Sequence, residues 1–512
     1  MKNKILITAF LFLSWSCNKN YLDKQPIETA TLESLFKTAD DLVLAVNGIY
    51  DAFQGSTWGG SFYYLPPHMD AISEDAIFCC PWEGGFQGWA QGNITPSSGG
   101  LVDYKWNYGY LAISRTNAVL ANVDRADLVI SDEIRLKTKA EVRFLRALVY
   151  FDLTNHYGGV PLIVNPIAKR EDAKVPRNTK EEVLAVVMED IDFAADNLGV
   201  SPLSDQIGRP TKQSALGLKT RILLYQQKWA EAAAAANLVI AMESTGDVQL
   251  SSNYASLFNG TNKADKEILF DIQFKGGGVG EGSNFTTFYG PNNVATGAGY
   301  GSITYMEPMF DAFPMSDGLP ITTSPLYDPN NPYANRDSRL YGSFYVPGIS
   351  THAGQPYTVN NYGGQLPSIG IHTKKWVGEF VPNYNEDGDV NFIILRYGDV
   401  LLMYAEAQNE AVGPDASVYS ALNKIRNRAE LPNIQSGMTQ VQMTNFIRNE
   451  RKIELSQEGL RFFDLIRWGI AEQKINSNSR ETRNWKNATH KLLPIPQREI
   501  DANPKLTQNP GY

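Results

Sequence analysis

Along much of the chain, apolar side chains recur at intervals of three and four residues, the spacing that lays one apolar stripe along a helix. The pattern predicts helices over 32–53, 103–123, 132–157 and 179–198. The third is expected to stop at Gly158-Gly159, just ahead of Pro161. The fourth opens on Thr179 and Glu182, which have the spacing of a capping box. A helix pair follows within 211–244, where the small residues Ala232 to Ala236 allow a neighbour to come close. A second pair is expected over 399–411 and 416–429. Such hairpins cannot each bury an apolar face alone, so they are expected to stack like tetratricopeptide repeats, although the strict repeat pattern is not met.

Two stretches break the pattern. Between residues 55 and 100, glycine and proline are interleaved with aromatics such as Trp58, Phe62, Phe78 and Trp82, a composition that predicts loops. Residues 260–391 are also irregular. Strands are expected at 267–274 and 392–396, and the glycine-rich run 276–301 lacks the spacing and the lysine of a phosphate-binding loop. Large aromatics in loops are either pinned into a core or shown to a ligand. Trp106, Trp229 and Trp468 lie in helical patterns instead and are assigned to the core.

The most informative stretch is FIRNERKIELSQEGLRFFDLIRW, residues 446–468, which reads as two helical pieces joined at Gly459. At 100° per residue, Glu450 and Glu454 fall on the face that carries Met443, Phe446, Ile447 and Ile453. Carboxylates on an apolar face are costly unless paired. Arg461 and Arg467 within the stretch, and Arg426 and Arg428 upstream, are the nearby partners. As a catalytic pair, residues at i and i+4 have Cβ atoms about 5–6 Å apart, compatible with the roughly 5 Å of a retaining glycosidase. As structure, Glu450, Glu454, Arg461 and Arg467 form a buried ion-pair cluster that fixes how two helices cross. Nothing in the sequence supplies a cleft for the first reading, so the structural one is preferred.

The same stretch resembles the C-terminal signature of the SusD/RagB family, nutrient-binding outer-membrane lipoproteins of Bacteroidetes. The resemblance is carried by Glu450-Arg451-Lys452, Glu454-Leu455, Glu458-Gly459, Arg461, Asp464-Leu465 and Arg467-Trp468. Lys452 stands where the family pattern has a second arginine, which keeps the charge and loses the bidentate fork. VRFLRALVYFDLTNHYGGVPL, residues 142–162, is similar to a second family signature. Asp317-Gly318, Arg336-Asp337, Arg339-Leu340 and the closing segment 492–504 resemble further landmarks.

The resemblance implies a mainly α, SusD-like fold: stacked TPR-like helical hairpins with an irregular, loop-rich half packed against them. It divides the chain into a signal peptide (1–16), a lipidated arm (17–26), an N-terminal region (27–258) and a C-terminal region (259–512). It implies capture of an oligosaccharide at the cell surface and delivery to a partner SusC-like, TonB-dependent barrel transporter. Matched by region, the family's aromatic platform corresponds to Trp82, Phe86 and Trp89 together with Phe285, Tyr289 and Tyr300, with Gln87, Gln91 and Asn93 as polar edges. A sugar ring offers an apolar C–H face and a belt of hydroxyls, which such a platform suits. The family also includes peptide-binding members, so a peptide is the alternative cargo, and a glycoside hydrolase is the distant one.

Charge and cysteine usage narrow the picture further. A net charge of -9 argues against nucleic acid as a partner. Lys2, Lys4, an apolar run over 5–13 and Ser14-Trp15-Ser16 lead to Cys17, the expected site of lipidation, although Ser14 stands where a lipobox usually has leucine. The apolar run is too short to span a bilayer, so the mature protein is expected to be anchored and not spanning; the family resemblance implies that the anchor sits in the outer membrane and faces outward. Cys79 and Cys80 are adjacent, leaving open two thiols or a strained vicinal disulfide. The five histidines show no paired spacing. Asn383-x-Asn385-x-Asp387-Gly388 starts like a calcium loop but puts Ile394 where a glutamate is required. No metal, cofactor or nucleophile motif is expected.

Overall fold

The computed structural model describes residues 36–54, 60–63, 65–79, 84–125, 127–201, 206–291, 299–352, 354–357, 371–378 and 387–512. The leader, Cys17 and the arm after it lie outside the described residues. The periodic segments are helices: α1 (Ala39–Gln54), α2 (Leu101–Asn122), α3 (Asp132–Tyr157), α4 (Lys180–Asn197), α5 (Lys212–Tyr225) and α6 (Trp229–Ala241). Far down the chain come α7 (Tyr397–Val412), α8 (Ala416–Arg428), α9 (Gln440–Glu454) and α10 (Arg461–Arg467). Local chemistry sets their ends. The capping box at α4 is complete: Glu182 N donates to Thr179 Oγ1 (3.1 Å) and Thr179 N to Glu182 Oε2 (2.9 Å). Ser131 caps α3 by accepting from Ile134 N, and α3 ends at Gly158.

Consecutive helices pack in a row from α1 to α6. α7 then lies against α5 and α6 and carries α8 and α9 on its other sides. This gives the mainly α stack, held over a core that runs through both halves of the chain. The two irregular stretches and the segment just after them contribute β1 (Ala76–Phe78), β2 (Ile268–Ile272), β3 (Ile303–Tyr305), β4 (Phe344–Tyr345), β5 (His372–Thr373) and β6 (Phe392–Arg396). β1, β3, β5 and β4 form one antiparallel sheet in that order, with Phe78 opposite Ile303. β2 pairs antiparallel with β6, which feeds directly into α7. Phe144 of α3 meets Phe270 of β2 edge-on at 4.9 Å, joining the helical row to this strand pair.

The two stretches expected to be loops contain short helical elements. Residues 66–71 form a 3-10 turn and Phe86–Gln91 a short helix. Its glycines act as caps: Gly85 and Gly92 hold left-handed backbone at φ 87° and 74°. A Cβ on Gly92 would sit 2.5 Å from Asn484 O, so glycine also admits the distal chain there. In the glycine-rich run, Phe285–Tyr289 winds into a single helical turn.

Candidate functional site

α9 carries Glu450 and Glu454 into the interior, where they are 2% and 0% exposed. Glu454 meets three guanidinium groups: Arg339 Nη1 at 2.9 Å, Arg396 Nη1 at 2.6 Å and Arg428 Nη2 at 2.5 Å. Glu450 pairs with Arg339 Nη1 at 2.6 Å and Arg426 Nη1 at 3.7 Å. Glu267 is shared by Arg396 and Arg428 (2.8 and 3.0 Å), and Glu458 by Arg396 and Lys375 (both 2.8 Å). The upstream arginines are therefore the partners of the α9 carboxylates, and Arg461 and Arg467 are not. Both lie beyond the Gly459 turn on α10. Arg461 binds Glu74 at 2.6 Å, and Arg467 binds Asp464 at 2.8 Å and Glu406. Lys452 makes a point contact with Asp75 at 2.6 Å, a role that needs no fork.

Burial alone would raise the Glu454 carboxyl, but Arg428, Arg396 and Arg339 outweigh it and hold the group well below the usual carboxylate range. A carboxylate so clamped cannot give up a proton as a general acid. With both carboxylates buried and taken up by guanidinium groups, the geometry supports the structural reading of Glu450 and Glu454 over the catalytic one.

Four of the six proposed platform aromatics are buried. Phe86, Trp89, Phe285 and Tyr289 are 0 to 4% exposed, so none presents a ring face to solvent. The reason is the helical winding, which turns them inward. Trp89 Nε1 donates to His490 O at 2.7 Å and the ring packs 4.6 Å from Phe462. Phe285 sits between Phe274 (5.5 Å) and Phe392 (6.0 Å). The Tyr289 hydroxyl meets His68 Nδ1 at 3.0 Å, and Phe86 packs 5.0 Å from the His68 ring. Tyr300 is 38% exposed. Trp82 and Cys80 lie outside the described residues, and Cys79 is disulfide-bonded. Of the tryptophans assigned to the core, Trp106 is buried and Trp229 and Trp468 are half-buried.

The three polar edge residues are brought together. Gln87 and Gln91 both donate through Nε2 to Glu481 Oε1, at 3.2 and 2.9 Å, and Asn93 Nδ2 donates to Gln91 Oε1 at 3.3 Å. Arg483 Nε holds the other Glu481 oxygen at 2.9 Å. Glu481 was not singled out from the sequence, and no local signal could have found it, because it lies 390 residues from Gln91.

Among the described residues, two roomy clefts lie beside the helical row. The larger, about 830 Å³, lies between α1, residues 206–209 and the end of β2. Its polar groups largely satisfy one another. Arg209 Nη1 and the Tyr50 hydroxyl both meet Glu141 Oε1 (2.5 and 2.7 Å), and Lys263 Nζ meets Asp389 at 2.8 Å. The smaller, about 390 Å³, lies between α2, residues 161–174 and the C-terminal segment around Glu499. Of the calcium-like run, Asn383 and Asn385 fall outside the described residues. Asp387 Oδ2 is occupied by the backbone N–H groups of Gly277 (2.9 Å) and Gly278 (2.5 Å). Among the described residues no group of three His, Cys, Asp or Glu is placed to hold a metal.

Comparison with known proteins agrees along the whole chain. Residues 266–512 match the profile of the SusD family, and 60–224 match one described as starch-binding, associating with outer membrane. A SusD-like protein of Formosa agariphila is 27% identical, with 100% of this chain and 99% of the relative aligned. A SusD-like protein of Bacteroides ovatus is 26% identical over 91% of this chain and 83% of its own length. The crystal structure of a SusD-like protein from Bacteroides fragilis superposes with a TM-score of 0.80 at 25% identity, covering 96% of this chain and all of that one. A laminarin-binding SusD-like protein superposes with a TM-score of 0.76 at 25% identity, covering 93% and 100%. Matched by family profiles on both sides of its middle and sharing one fold nearly end to end, the chain belongs to the SusD/RagB family.

Proposed function

We propose that the protein captures an oligosaccharide at the cell surface and passes it to a SusC-like, TonB-dependent barrel transporter. The observation that carries most weight is the likeness, over 93% of the chain, to a laminarin-binding SusD-like protein. The profile over 60–224 adds association with the outer membrane. Among the described residues no helix is long and apolar enough to cross a membrane. In this reading a lipid on Cys17 supplies the attachment and the barrel supplies the conduit.

In this reading the ligand meets the exposed ring of Tyr300, and Trp82, which lies outside the described residues, is the second aromatic assigned to it. Gln87, Gln91 and Asn93 supply amides for its hydroxyls, and Glu481 fixes how the two glutamine amides point. The test is titration calorimetry against laminarihexaose and a panel of neutral and acidic oligosaccharides. Trp82→Ala and Tyr300→Ala are each expected to weaken binding about tenfold or more, with the melting temperature unchanged. Binding of no saccharide, or of short peptides with no response to either substitution, rules the proposal out.

A further inference from the structure

We infer that the smaller cleft, between α2, the strap 161–174 and the C-terminal segment, is a second ligand site shaped for one or two sugar rings. Its volume of about 390 Å³ lies in the range of small-molecule sites. The site is preformed because the foot of the strap is pinned by side chains. The Tyr110 hydroxyl donates to Pro161 O (2.8 Å), Asn117 Nδ2 to Ile163 O (2.8 Å), and the Tyr150 hydroxyl also to Ile163 O (2.9 Å). Asn503 Nδ2 donates to Val175 O at 2.9 Å on the far side. Walls fixed in advance reduce the ordering cost of binding. Above this foot, residues 164–173 are all exposed.

The chemistry inside the cleft is uncommitted. Trp106 packs 5.0 Å from Tyr110 and 5.2 Å from Tyr157, yet its indole N–H has no acceptor among the described residues and is not sealed from solvent. The side chains of Asn107, Ser114, Asn165 and Arg170 likewise make no hydrogen bond or ion pair among the described residues. The larger cleft differs in this respect, since its polar groups are mostly paired with each other. Between the free groups lie Ile113, Pro166, Ile167 and Leu506. A pyranose matches this alternation: its C–H face covers the aliphatic surface, and its hydroxyls, each donor and acceptor, meet carboxamides and the indole N–H.

An extended peptide fits less well. It needs a row of free backbone groups along one wall, but the carbonyls of Pro161, Ile163 and Val175 are already taken and Pro166 has no N–H. The carbohydrate class rests on the function proposed above, whereas the site itself rests on its own lining.

Hydrogen-exchange mass spectrometry of the full mature protein tests this, with millimolar laminarihexaose and maltohexaose as probes and tetra-alanine as the peptide control. Exchange within 163–175 is expected to slow about twofold or more on adding a saccharide. The protection is expected to persist in the Trp82→Ala/Tyr300→Ala double variant and to vanish in Asn107→Ala/Arg170→Ala. Absence of protection of 163–175 by either saccharide, or protection by tetra-alanine alone, overturns the inference. Failure of the capture function is read elsewhere, as absent protection over 82–93.

Discussion

Asp70 shows how a single buried group sets a pH dependence. Its Oδ1 accepts from Arg461 N at 3.1 Å, while Oδ2 is buried without a hydrogen-bond partner. Burial, aided by the nearby Glu458 and Asp75 charges, pushes the carboxyl from 3.8 up to about 7. The folded state therefore holds this proton at pH values where the unfolded chain has lost it. Its contribution is full below pH 3.8 and is lost as pH rises toward 7. Asp70→Asn keeps the acceptor and removes the charge. Thermal melts are expected to show the variant gaining on the parent between pH 5 and pH 8, with a ceiling of about 4 kcal/mol. Equal slopes in the two proteins would contradict the assignment. Residues of this kind are only half legible in sequence. The face shared by Glu450 and Glu454 followed from helical spacing, whereas Arg339, 115 residues before Glu454, is brought in only by the tertiary fold.

At the scale of elements, the joint between α9 and α10 depends on one glycine. Gly459 holds φ 76°, and a Cβ there would lie 2.7 Å from Pro66 O. Gly459→Ala adds backbone strain to a clash with main chain, expected to cost about 1–3 kcal/mol and to lower the urea midpoint. An unchanged midpoint would mean that the turn can rearrange. The long helices were legible because a repeated apolar stripe and a complete capping box agree over many residues. The short helix Phe86–Gln91 was not, because too few turns are present to show a period and its flanking glycines read as loop formers. That single misreading accounts for the misplacement of Phe86 and Trp89, and the turn Phe285–Tyr289 repeats it.

At the scale of the whole molecule, the charged lattice around Glu454 ties together segments that are distant in sequence. Glu267 precedes β2, Arg339 follows the irregular stretch after β3, Arg396 ends β6, and Arg428 ends α8. Glu454→Gln leaves three buried guanidinium groups short of a counter-charge, expected to cost about 3–5 kcal/mol. Calorimetry is expected to show one transition moved to lower temperature. Two separated transitions would mean that the parts covered by the two family profiles unfold independently. The family signature and the stacked helical class were legible because both are written in contiguous residues. The polar hub at Glu481 and the cleft beneath the 161–174 strap were not, since each is assembled from segments that only the fold brings together.

The contact between Trp89 and His490 O closes a span of 401 residues. Around it, Arg483 donates to the carbonyls of Ala71, Ser73 and Ala76, and Asn484 N donates to Gln91 O. Loops of this length offer no reward until both ends have met. Synthesis runs from the amino end, so the 71–91 region is made early and finished late. The carbonyls of Ala71, Ser73 and Ala76 and the Trp89 indole lack these partners until residues 483–490 arrive, which leaves them open to chaperones and proteases on the nascent chain.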